Sequence, residues 1–295
     1  MAASATAPRL FCFGLGYSAL ALGQAVRAEG WRVAGTCRSE EKRRRLAELG
    51  IEAYLFDRKR PLADPGRALA GTTHLLSSVP PDEAGDPVLD RHLSDITALA
   101  TLKWVGYLST TAVYGDHRGG WVDEETPLAP SGERGRRRKA AEARWLNLWQ
   151  AQGLPAHVFR LAGIYGPGRS VLDAIRAGTA KRIAKPGQVF SRIHVDDIVA
   201  TVRASMARPN GGRAYNVCDD RPVPPEEVVR FGCALLGVEP PPLVPLEEAK
   251  LTPTARSFYA DNKRVRNDRI KEELGLRLKH PDYAAGLTAV LESGG

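Results

Sequence analysis

The chain has 295 residues, of which 43% are apolar, 26% are charged and 7% are aromatic, and its formal net charge is +8. This composition excludes intrinsic disorder, collagen-like repetition and a disulfide scaffold, and the length suits one large domain or two coupled ones. The positive charge comes from 32 arginines and 10 lysines spread over the whole chain, a distribution that argues against a nucleic-acid-binding stripe.

The first 165 residues alternate short apolar strands with amphipathic helical patterns. Strands are predicted at Leu10–Phe13, Trp31–Thr36, Glu52–Phe56, Thr73–Ser77, Lys103–Ser109 and Ala156–Leu161. Helices are predicted at Tyr17–Glu29, Glu40–Leu49 and about Arg136–Gln150. Because strands separated by helix-length segments form parallel sheets through right-handed crossovers, the pattern predicts an α/β fold with a doubly wound parallel sheet.

After residue 165 the pattern loosens, which predicts a smaller lobe without an independent sheet. The predicted elements are a helix near Val171–Ala177, a hairpin around Lys185–Gly187, a helix after Asp197, a strand at Arg213–Val217, a helix from Pro225, a stiff connector at Pro240–Pro245 and two helices within Arg264–Leu291. We expect residues 1–165 to form the first domain and residues 166–295 a substrate-binding lobe. Some segments of the second part, such as 194–217, are expected to return to the first domain.

The cysteines and the hydropathy of the chain indicate the cellular compartment in which the protein is expected. The four cysteines, Cys12, Cys37, Cys218 and Cys233, show no CxxC pair and no metal-ligand spacing, so we expect reduced, mostly buried thiols and no metal site. The apolar stretch after Arg9 is similar to a short signal peptide, but glycines interrupt it. Since no apolar stretch reaches the ~18 residues that span a bilayer, we expect a soluble cytoplasmic protein without a membrane partner.

A glycine-rich turn joins the first predicted strand to the first predicted helix. Gly14 allows a tight turn, and Gly16 lacks the Cβ that would keep the backbone away from a pyrophosphate. The helix start at Tyr17 and Ser18 then offers backbone N–H groups and a partial positive charge to the phosphates. Ala19 stands at the third glycine position of this GxGxxA pattern, and a plain tight turn is the alternative interpretation.

The end of the second predicted strand indicates which dinucleotide is bound. An acid about 20 residues after the glycines would bind the ribose hydroxyls of NAD, but Arg38 and Ser39 stand there instead. A guanidinium and a hydroxyl suit a 2′-phosphate, so NADP is favoured and NAD remains an alternative. A solvated arginine at a helix start is the other interpretation of Arg38.

Four ordered segments together resemble the extended short-chain dehydrogenase/reductase superfamily, which includes the NAD-dependent epimerases and dehydratases of nucleotide sugars. They are the glycine loop, Leu108–Gly115, Arg160–Gly168 and Ile193–Asp197, and the tail from residue 262 to residue 283 also fits. The resemblance spans nearly the whole chain. It implies a Rossmann sheet with a small carboxy-terminal lobe that closes a cleft over the strand ends.

The resemblance implies a catalytic site made of a Ser/Thr, a Tyr and a Lys. Thr110 falls on the Ser/Thr position at the end of a central strand, where a satisfied strand-end hydroxyl is the alternative role. Aligned on Glu142, the tyrosine position holds Arg134 and the lysine position holds Arg138. Because arginine stays protonated near neutral pH, it cannot replace a titrating phenol as general acid or base. Arg138 is expected to hold the cofactor, and Arg134 an anionic substrate group, with a solvated basic helix start as the alternative.

Other polar side chains at the strand ends are candidates for the substrate site. Tyr114 and Tyr165 lie in loops that leave strand ends, where packing is the alternative role, and Arg192 is expected to hold an anionic substrate group. His194 and the two acids after it invite a metal or proton-relay interpretation, but an aspartate acting as helix N-cap is a sufficient explanation.

The resemblance also implies smaller cofactor contacts. Asp57, after the third strand, matches the position whose carboxylate accepts from the adenine amino group, with a turn aspartate as the alternative. Ser78 and Val79 should pass beneath the adenosine ribose and pyrophosphate. Gly163 and Ile164 should lie against the nicotinamide ring.

These expectations combine into an NADP-dependent oxidoreductase or epimerase-like enzyme of an atypical type, acting on a small polar substrate that is anionic or a nucleotide sugar. The competing interpretation is a sensor that binds NADP(H) without chemistry and reports its occupancy to a partner. Loss of the Tyr/Lys pair favours the sensor, and retention of Thr110 and of a substrate lobe favours the enzyme. No nucleic-acid partner is expected, and a homodimer is an expectation from the family.

Overall fold

The computed structural model describes residues 7–294, in which thirteen strands and eleven α-helices are assigned. The strands are β1 (Arg9–Phe13), β2 (Arg32–Cys37), β3 (Glu52–Leu55), β4 (His74–Ser77), β5 (Trp104–Thr110), β6 (Trp121–Val122), β7 (Ala156–Leu161), β8 (Gly163–Tyr165), β9 (Arg182–Ala184), β10 (Arg192–His194), β11 (Ala214–Val217), β12 (Leu243–Pro245) and β13 (Arg264–Val265). The helices are α1 (Tyr17–Ala28), α2 (Glu40–Glu48), α3 (Pro65–Leu69), α4 (Pro87–Thr97), α5 (Glu133–Gln152), α6 (Val171–Arg176), α7 (Val195–Ala207), α8 (Pro225–Leu236), α9 (Pro253–Ser257), α10 (Asp268–Leu274) and α11 (Tyr283–Glu292).

Seven of these strands form one parallel sheet in the order β11-β7-β5-β4-β1-β2-β3. Its apolar strands are buried on both faces, as parallel sheets covered by helices require. The strand order reverses beside β1, which pairs in parallel with β2 on one side and with β4 on the other. Ligands of such sheets bind at this switch point, outside the carboxyl ends of the strands. The predicted α/β fold with a doubly wound parallel sheet is confirmed.

The hairpin predicted around Lys185–Gly187 is wrong. The turn itself exists, since the Gln188 N–H donates to the Lys185 carbonyl and Gly187 has a φ of +74°. The strand before the turn, β9, pairs in parallel with β12, and β10 pairs in parallel with β8. A Pro-Gly signal fixes the turn but does not fix the partners of the strands around it. The end of the predicted proline-rich connector therefore contributes a strand.

Three short or irregular helices were not predicted, namely α3, α4 and α9. Each begins with a proline that follows a capping side chain, which is Asp64, Asp86 or Thr252. An Asp or Thr before a proline at the first helical position is a recognised start signal, so the sequence did contain the information.

The chain divides into two compact units. Unit 1 comprises the chain up to Ser109, Arg137–Phe159 and Val202–Ala214, and unit 2 comprises Thr110–Arg136, Arg160–Thr201 and the chain from Tyr215. The aromatic core of unit 1 includes Phe11 and Phe13, whose ring centroids lie 5.0 Å apart. The core of unit 2 packs α8 and α11 around buried side chains that include Tyr165, Leu172, Val228, Tyr283 and Leu287.

The cysteines and the apolar helices bear on two expectations from the sequence. All four cysteines are free and buried, as predicted. Between residues 7 and 294, no helix is both long enough and apolar enough to cross a lipid bilayer.

Candidate functional site

The turn between β1 and α1 is fixed by contacts to two neighbouring strands. The Gly14 N–H donates to the Thr36 Oγ1 at 2.8 Å, and the Ser78 hydroxyl donates to the Gly14 carbonyl. Gly14 has a φ of +84°, and a Cβ at this position would lie 2.9 Å from the Ser78 Oγ and 3.1 Å from the Val79 Cγ2. Only glycine therefore suits this position, and Ser78 and Val79 lie directly against the glycine turn.

Gly16 has a different requirement. It is the N-cap of α1, which has no side-chain cap and no acidic residue in its first turn. A Cβ built on Gly16 would meet no described atom within 4 Å other than those of its chain neighbours, so the protein leaves open space on this side of Gly16. The open approach, the uncapped helix start at Tyr17 and Ser18, and the helix dipole together fit a dinucleotide pyrophosphate.

The sequence analysis did not single out Gly35, which also shapes this turn. Gly35 lies on β2, and a Cβ there would overlap the Cys12 carbonyl and contact the Leu15 side chain at 2.9 Å. The glycine in the middle of a strand was the available signal, because strand glycines mark close backbone approach.

Arg38 and Ser39 follow β2 at its carboxyl end. The Arg38 side chain is exposed and makes no side-chain hydrogen bond or ion pair with any residue from 7 to 294. Ser39 is the N-cap of α2, and its hydroxyl oxygen accepts from the Lys42 N–H at 3.3 Å. Arg43 and Arg45 of α2 are paired with Glu40 and Glu41 on the exposed surface of their own helix. Arg38 is thus a cation at this strand end whose side chain is available to a ligand.

Asp57 stands in the turn after β3. Its Oδ1 accepts from the Lys59 and Arg60 N–H groups at 2.9 and 3.0 Å, and its Oδ2 lies 3.2 Å from an Arg60 nitrogen. The carboxylate therefore stabilises its own turn, as the turn alternative required. A contact with adenine stays a prediction.

Thr110 is the last residue of β5 and belongs to unit 2. It is half-buried, and its Oγ1 accepts from the Ala112 N–H at 3.3 Å, which caps the 3₁₀ helix Thr111–Tyr114. The hydroxyl proton is not used in that contact. Thr110 combines the capping role with a donor that remains available to a substrate oxygen.

Arg138 lies on the unit 1 part of α5, where it contacts the end of β5. Its Nη1 donates to the Leu108 carbonyl at 2.5 Å and to the Tyr107 hydroxyl at 3.2 Å. Nearby, the buried Ser109 hydroxyl donates to the buried Glu142 carboxylate at 2.5 Å, a contact that the sequence analysis did not anticipate. Arg138 therefore braces the strand end, and a contact with the cofactor stays a prediction.

Arg134 lies at the start of α5, in unit 2. It is exposed, and its guanidinium carbon lies 5.6 Å from the ring centroid of Phe258, an exposed aromatic that follows α9. A guanidinium on an aromatic face keeps its edge N–H groups available to an anion. The substrate role of Arg134 stays a prediction.

The contacts of Tyr114 favour packing. Its side chain is fully buried, its hydroxyl donates to the Asn216 Oδ1 at 2.7 Å, and an Arg160 nitrogen donates to the same hydroxyl at 2.9 Å. Burial raises the pKa of Tyr114 to about 12. Its burial and its two hydrogen bonds inside the protein make Tyr114 a poor substitute for the proton-exchanging tyrosine that the family resemblance implies.

The buried Tyr165 and the half-buried Arg192 belong to one polar group in unit 2. The Tyr165 hydroxyl donates to the Asp282 carbonyl at 3.3 Å, and burial raises the pKa of Tyr165. Arg192 donates through Nη1 to the Phe190 carbonyl at 2.9 Å, and burial lowers its pKa. Asp219, which the sequence analysis missed, is 1% exposed and its Oδ2 has no hydrogen-bond partner among residues 7–294. Burial raises the pKa of Asp219 to about 8, although the nearby Arg192 opposes that rise.

Gly163 and Ile164 lie on β8, which pairs in parallel with β10. The Gly163 N–H donates to the Ser191 carbonyl at 3.1 Å, and a Cβ on Gly163 would lie 3.3 Å from the same oxygen. Their contact with a nicotinamide ring stays a prediction.

The acids after His194 do not cap α7, and the expected N-cap aspartate is wrong. The helix begins at Val195, so both acids lie within its first turn, and His194 Nδ1 accepts from the Asp196 N–H at 3.2 Å. Asp197 is fully buried and accepts from the N–H groups of Lys279 and His280 at 2.6 and 3.1 Å. Asp197 therefore anchors the tail instead of capping its own helix.

One triad of side chains could in principle ligate a metal. His194, Asp196 and His280 each offer a ligand atom within 4.8 Å of the others. However, the Lys279 ammonium lies 2.7 Å from the Asp196 carboxylate, where it supplies the compensating cation. The arrangement is explained as an ion-pair network that holds the tail.

Comparison with known proteins gives matches of different strength. The model of the NAD dependent epimerase/dehydratase family matches residues 88–218. A solved structure of a functionally unknown conserved protein from Silicibacter pomeroyi DSS is 52% identical, covers 97% of this chain and 99% of that chain, and has a TM-score of 0.89. No curated protein sequence matches the chain.

Two enzymes of known activity share the fold. The dTDP-glucose 4,6-dehydratase from Bacillus anthracis str. Ames, solved in complex with NAD, is 16% identical over 97% of this chain and 96% of that chain, with a TM-score of 0.75. The UDP-glucuronic acid 4-epimerase from Bacillus cereus, solved with UDP-glucuronic acid and NAD, is 13% identical over 96% of this chain and 98% of that chain, with a TM-score of 0.79. At these identities the likeness concerns the fold alone.

Proposed function

Because the chain belongs to the NAD-dependent epimerase/dehydratase family of the extended short-chain dehydrogenases/reductases, we propose that it is an NADP(H)-dependent oxidoreductase or epimerase-like enzyme. Its substrate is a small polar molecule, either a nucleotide sugar or another anionic compound. The observation that carries this proposal is the exposed Arg38, which has no side-chain partner among the described residues and stands where an NAD-binding protein would place an acid.

The residues of unit 1 fit the dinucleotide. Gly14 and Gly16 bring the uncapped start of α1 to the pyrophosphate, and Arg38 with Ser39 hold the 2′-phosphate. When bound, the nicotinamide supplies a hydride donor or acceptor. The protein's own task is to hold and orient both reactants.

The residues of unit 2 receive the substrate. Thr110 donates its hydroxyl proton to a substrate carbonyl or hydroxyl oxygen, while Arg134 and Arg192 hold anionic substrate groups. Arginine cannot release a proton near neutral pH, so the proton is exchanged with an ordered water or another donor.

Calorimetry with NADPH and NADH tests the cofactor part of the proposal. We expect wild-type protein to prefer NADPH, and Arg38→Ala to lose most of that preference by weakening NADPH binding about tenfold without changing NADH binding. Arg45→Ala is the matched control, because Arg45 is exposed but already paired with Glu41. Equal affinities of the wild type for both cofactors would refute the 2′-phosphate assignment.

A second function is favoured by one observation, the arginines at the Tyr and Lys positions. With Arg134 and Arg138 in these places, and with burial raising the pKa of Tyr114 and Tyr165, the chain is also suited to sense NADP(H) without chemistry. Absorbance at about 340 nm distinguishes the two functions, since an enzyme turns over the cofactor with some member of a nucleotide-sugar panel. A sensor binds the cofactor and changes its affinity for a partner, but turns over nothing.

Two further parts of the proposal concern location and assembly. Four reduced buried cysteines favour the cytoplasm. A homodimer is proposed from the family resemblance, and light scattering on the purified protein measures it directly.

A further inference from the structure

The turn after β3 holds an arginine in a fixed position. Asp57 and Arg60 exchange two backbone hydrogen bonds of 3.0 Å each, and the Asp57 Oδ1 accepts from two N–H groups inside the turn. A turn closed by both backbone and side chain leaves little freedom at its last residue. The backbone of Arg60, from which its side chain extends, is therefore held in place by the turn.

The Arg60 guanidinium reaches back to the end of β2. Its Nη2 donates to the Arg38 carbonyl at 2.7 Å and lies 3.2 Å from the Asp57 Oδ2. The side chain is 46% exposed, and its Nε and Nη1 make no hydrogen bond to any residue from 7 to 294. Arg60 thus presents unused N–H groups beside the backbone of the residue that we assign to the 2′-phosphate.

Several of the other arginines near this strand end are already paired with acids. Arg58 pairs with Asp82 and Asp90, its nitrogens lying 2.5 and 2.7 Å from their carboxylate oxygens. The arginines of α2 at positions 43 and 45 pair with glutamates of the same helix. Arg60 is also paired with an acid, Asp57, but that pair uses only one nitrogen of the Arg60 guanidinium, Nη2.

We propose that Arg60 is the second arginine of a 2′-phosphate subsite, in which it and Arg38 bind the phosphate monoester of NADP(H) from two sides. This inference rests on the proposed function and adds to it a second residue that selects NADP(H) over NAD(H). A phosphate dianion offers three oxygens, more than a single guanidinium fork engages, so a second fork adds charge-assisted hydrogen bonds. The contact with the Arg38 carbonyl keeps the two guanidinium groups on the same strand end.

The experiment measures the dissociation constants of NADPH and NADH by calorimetry for wild type, Arg60→Ala, Arg38→Ala, the double variant and Arg45→Ala. We expect Arg60→Ala to weaken NADPH binding about tenfold and to leave NADH binding unchanged. The double variant should bind both cofactors equally, and the Arg45→Ala control should match wild type. Adenosine 2′,5′-diphosphate and AMP repeat the comparison without the nicotinamide, and thermal unfolding of each variant reports whether the protein is folded.

The possible results separate this inference from the proposed function. If wild type prefers NADPH and Arg60→Ala keeps the full preference, Arg60 is not part of the subsite, and the proposed function stands. If Arg60→Ala weakens both cofactors equally while remaining folded, Arg60 contacts the part they share and the inference is wrong. If wild type does not distinguish the cofactors, the NADP part of the proposed function fails first. An NADPH affinity that falls with salt more steeply in wild type than in Arg60→Ala would add support, because exposed phosphate contacts are screened by ions.

Discussion

Replacing Asp219 by asparagine should remove a pH dependence from the stability of the protein. Asp219 is 1% exposed, its Oδ2 has no hydrogen-bond partner among the described residues, and its Oδ1 accepts a 3.3 Å hydrogen bond from the Arg221 N–H. Burial raises the pKa of Asp219 to about 8, with Arg192 opposing the rise, whereas the pKa of an aspartate in the unfolded chain is about 4.

The sign of the effect follows from these two values. The folded protein keeps a proton on Asp219 that the unfolded chain releases, so the stabilisation is complete below about pH 4 and is lost as the pH rises towards 8. Within this window the free energy of unfolding should fall by about 1.4 kcal/mol per pH unit, and the whole loss is on the order of 5 kcal/mol. Between pH 5 and pH 7 the wild type should therefore lose about 3 kcal/mol more than Asp219→Asn.

Urea denaturation at pH 5, 6 and 7 measures this difference. The comparison between wild type and variant cancels the contributions of all other titrating groups, provided that the Asp219→Asn substitution leaves them in place. Asp220→Asn is the matched control, because Asp220 is the next residue in the chain and is exposed. The stability of the Asp220→Asn variant should depend on pH as that of the wild type does. Parallel stability curves for wild type and Asp219→Asn would refute the reasoning, since they would mean that the carboxyl is ionised in the folded protein.

Three further substitutions test individual contacts. Gly14→Ala should weaken NADPH binding at least about tenfold, because the φ of +84° and the Ser78 Oγ at 2.9 Å both reject a Cβ, and calorimetry measures the loss. Gly286→Ala should destabilise the protein by about 1–3 kcal/mol, since the new Cβ would overlap the Tyr165 hydroxyl. Tyr165→Phe in the same chain should recover part of that loss in urea denaturation, and no recovery would mean that the hydroxyl is not the obstacle. Asp197→Ala should cost about 3 kcal/mol, because two backbone N–H groups of the tail, one of them on the buried His280, lose their acceptor, and a variant as stable as wild type would contradict this assignment.

The sequence determined the first half of the fold better than the second for a physical reason. The strands of the parallel sheet are continuous apolar segments bounded by turns, so the predicted limits of β7 are the same as the observed ones, and those of β1 differ by one residue. In the second half, β9 and β12 are three residues long and pair over a separation of about 60 residues, which no local pattern specifies. A turn signal at Pro186 and Gly187 therefore led to the wrong pairing.

The candidate site shows the same division. Gly14 could be identified from the sequence because the tight turn after β1 requires glycine, and Arg38 was singled out by its residue type at the end of β2, where its contact with a cofactor stays a prediction. Asp219 and Arg60 could not, because their roles depend on burial and on contacts to residues distant in the chain or across a turn. A buried carboxyl oxygen without a hydrogen-bond partner, such as the Asp219 Oδ2, has no sequence signature.

The interleaving of the two units limits how the protein can be dissected or recombined. The chain passes between units five times, and residues 202–214 complete unit 1 only after two segments of unit 2, Thr110–Arg136 and Arg160–Thr201, have been made. That late segment supplies Ser205, which accepts a 3.0 Å hydrogen bond from the buried Trp104 indole, and it leads into the edge strand β11. A fragment cut after residue 165 would therefore leave an indole N–H without its acceptor and an unpaired strand edge. Each unit is therefore assembled from separate segments of the chain, so exchanging one unit with a relative means exchanging three segments together.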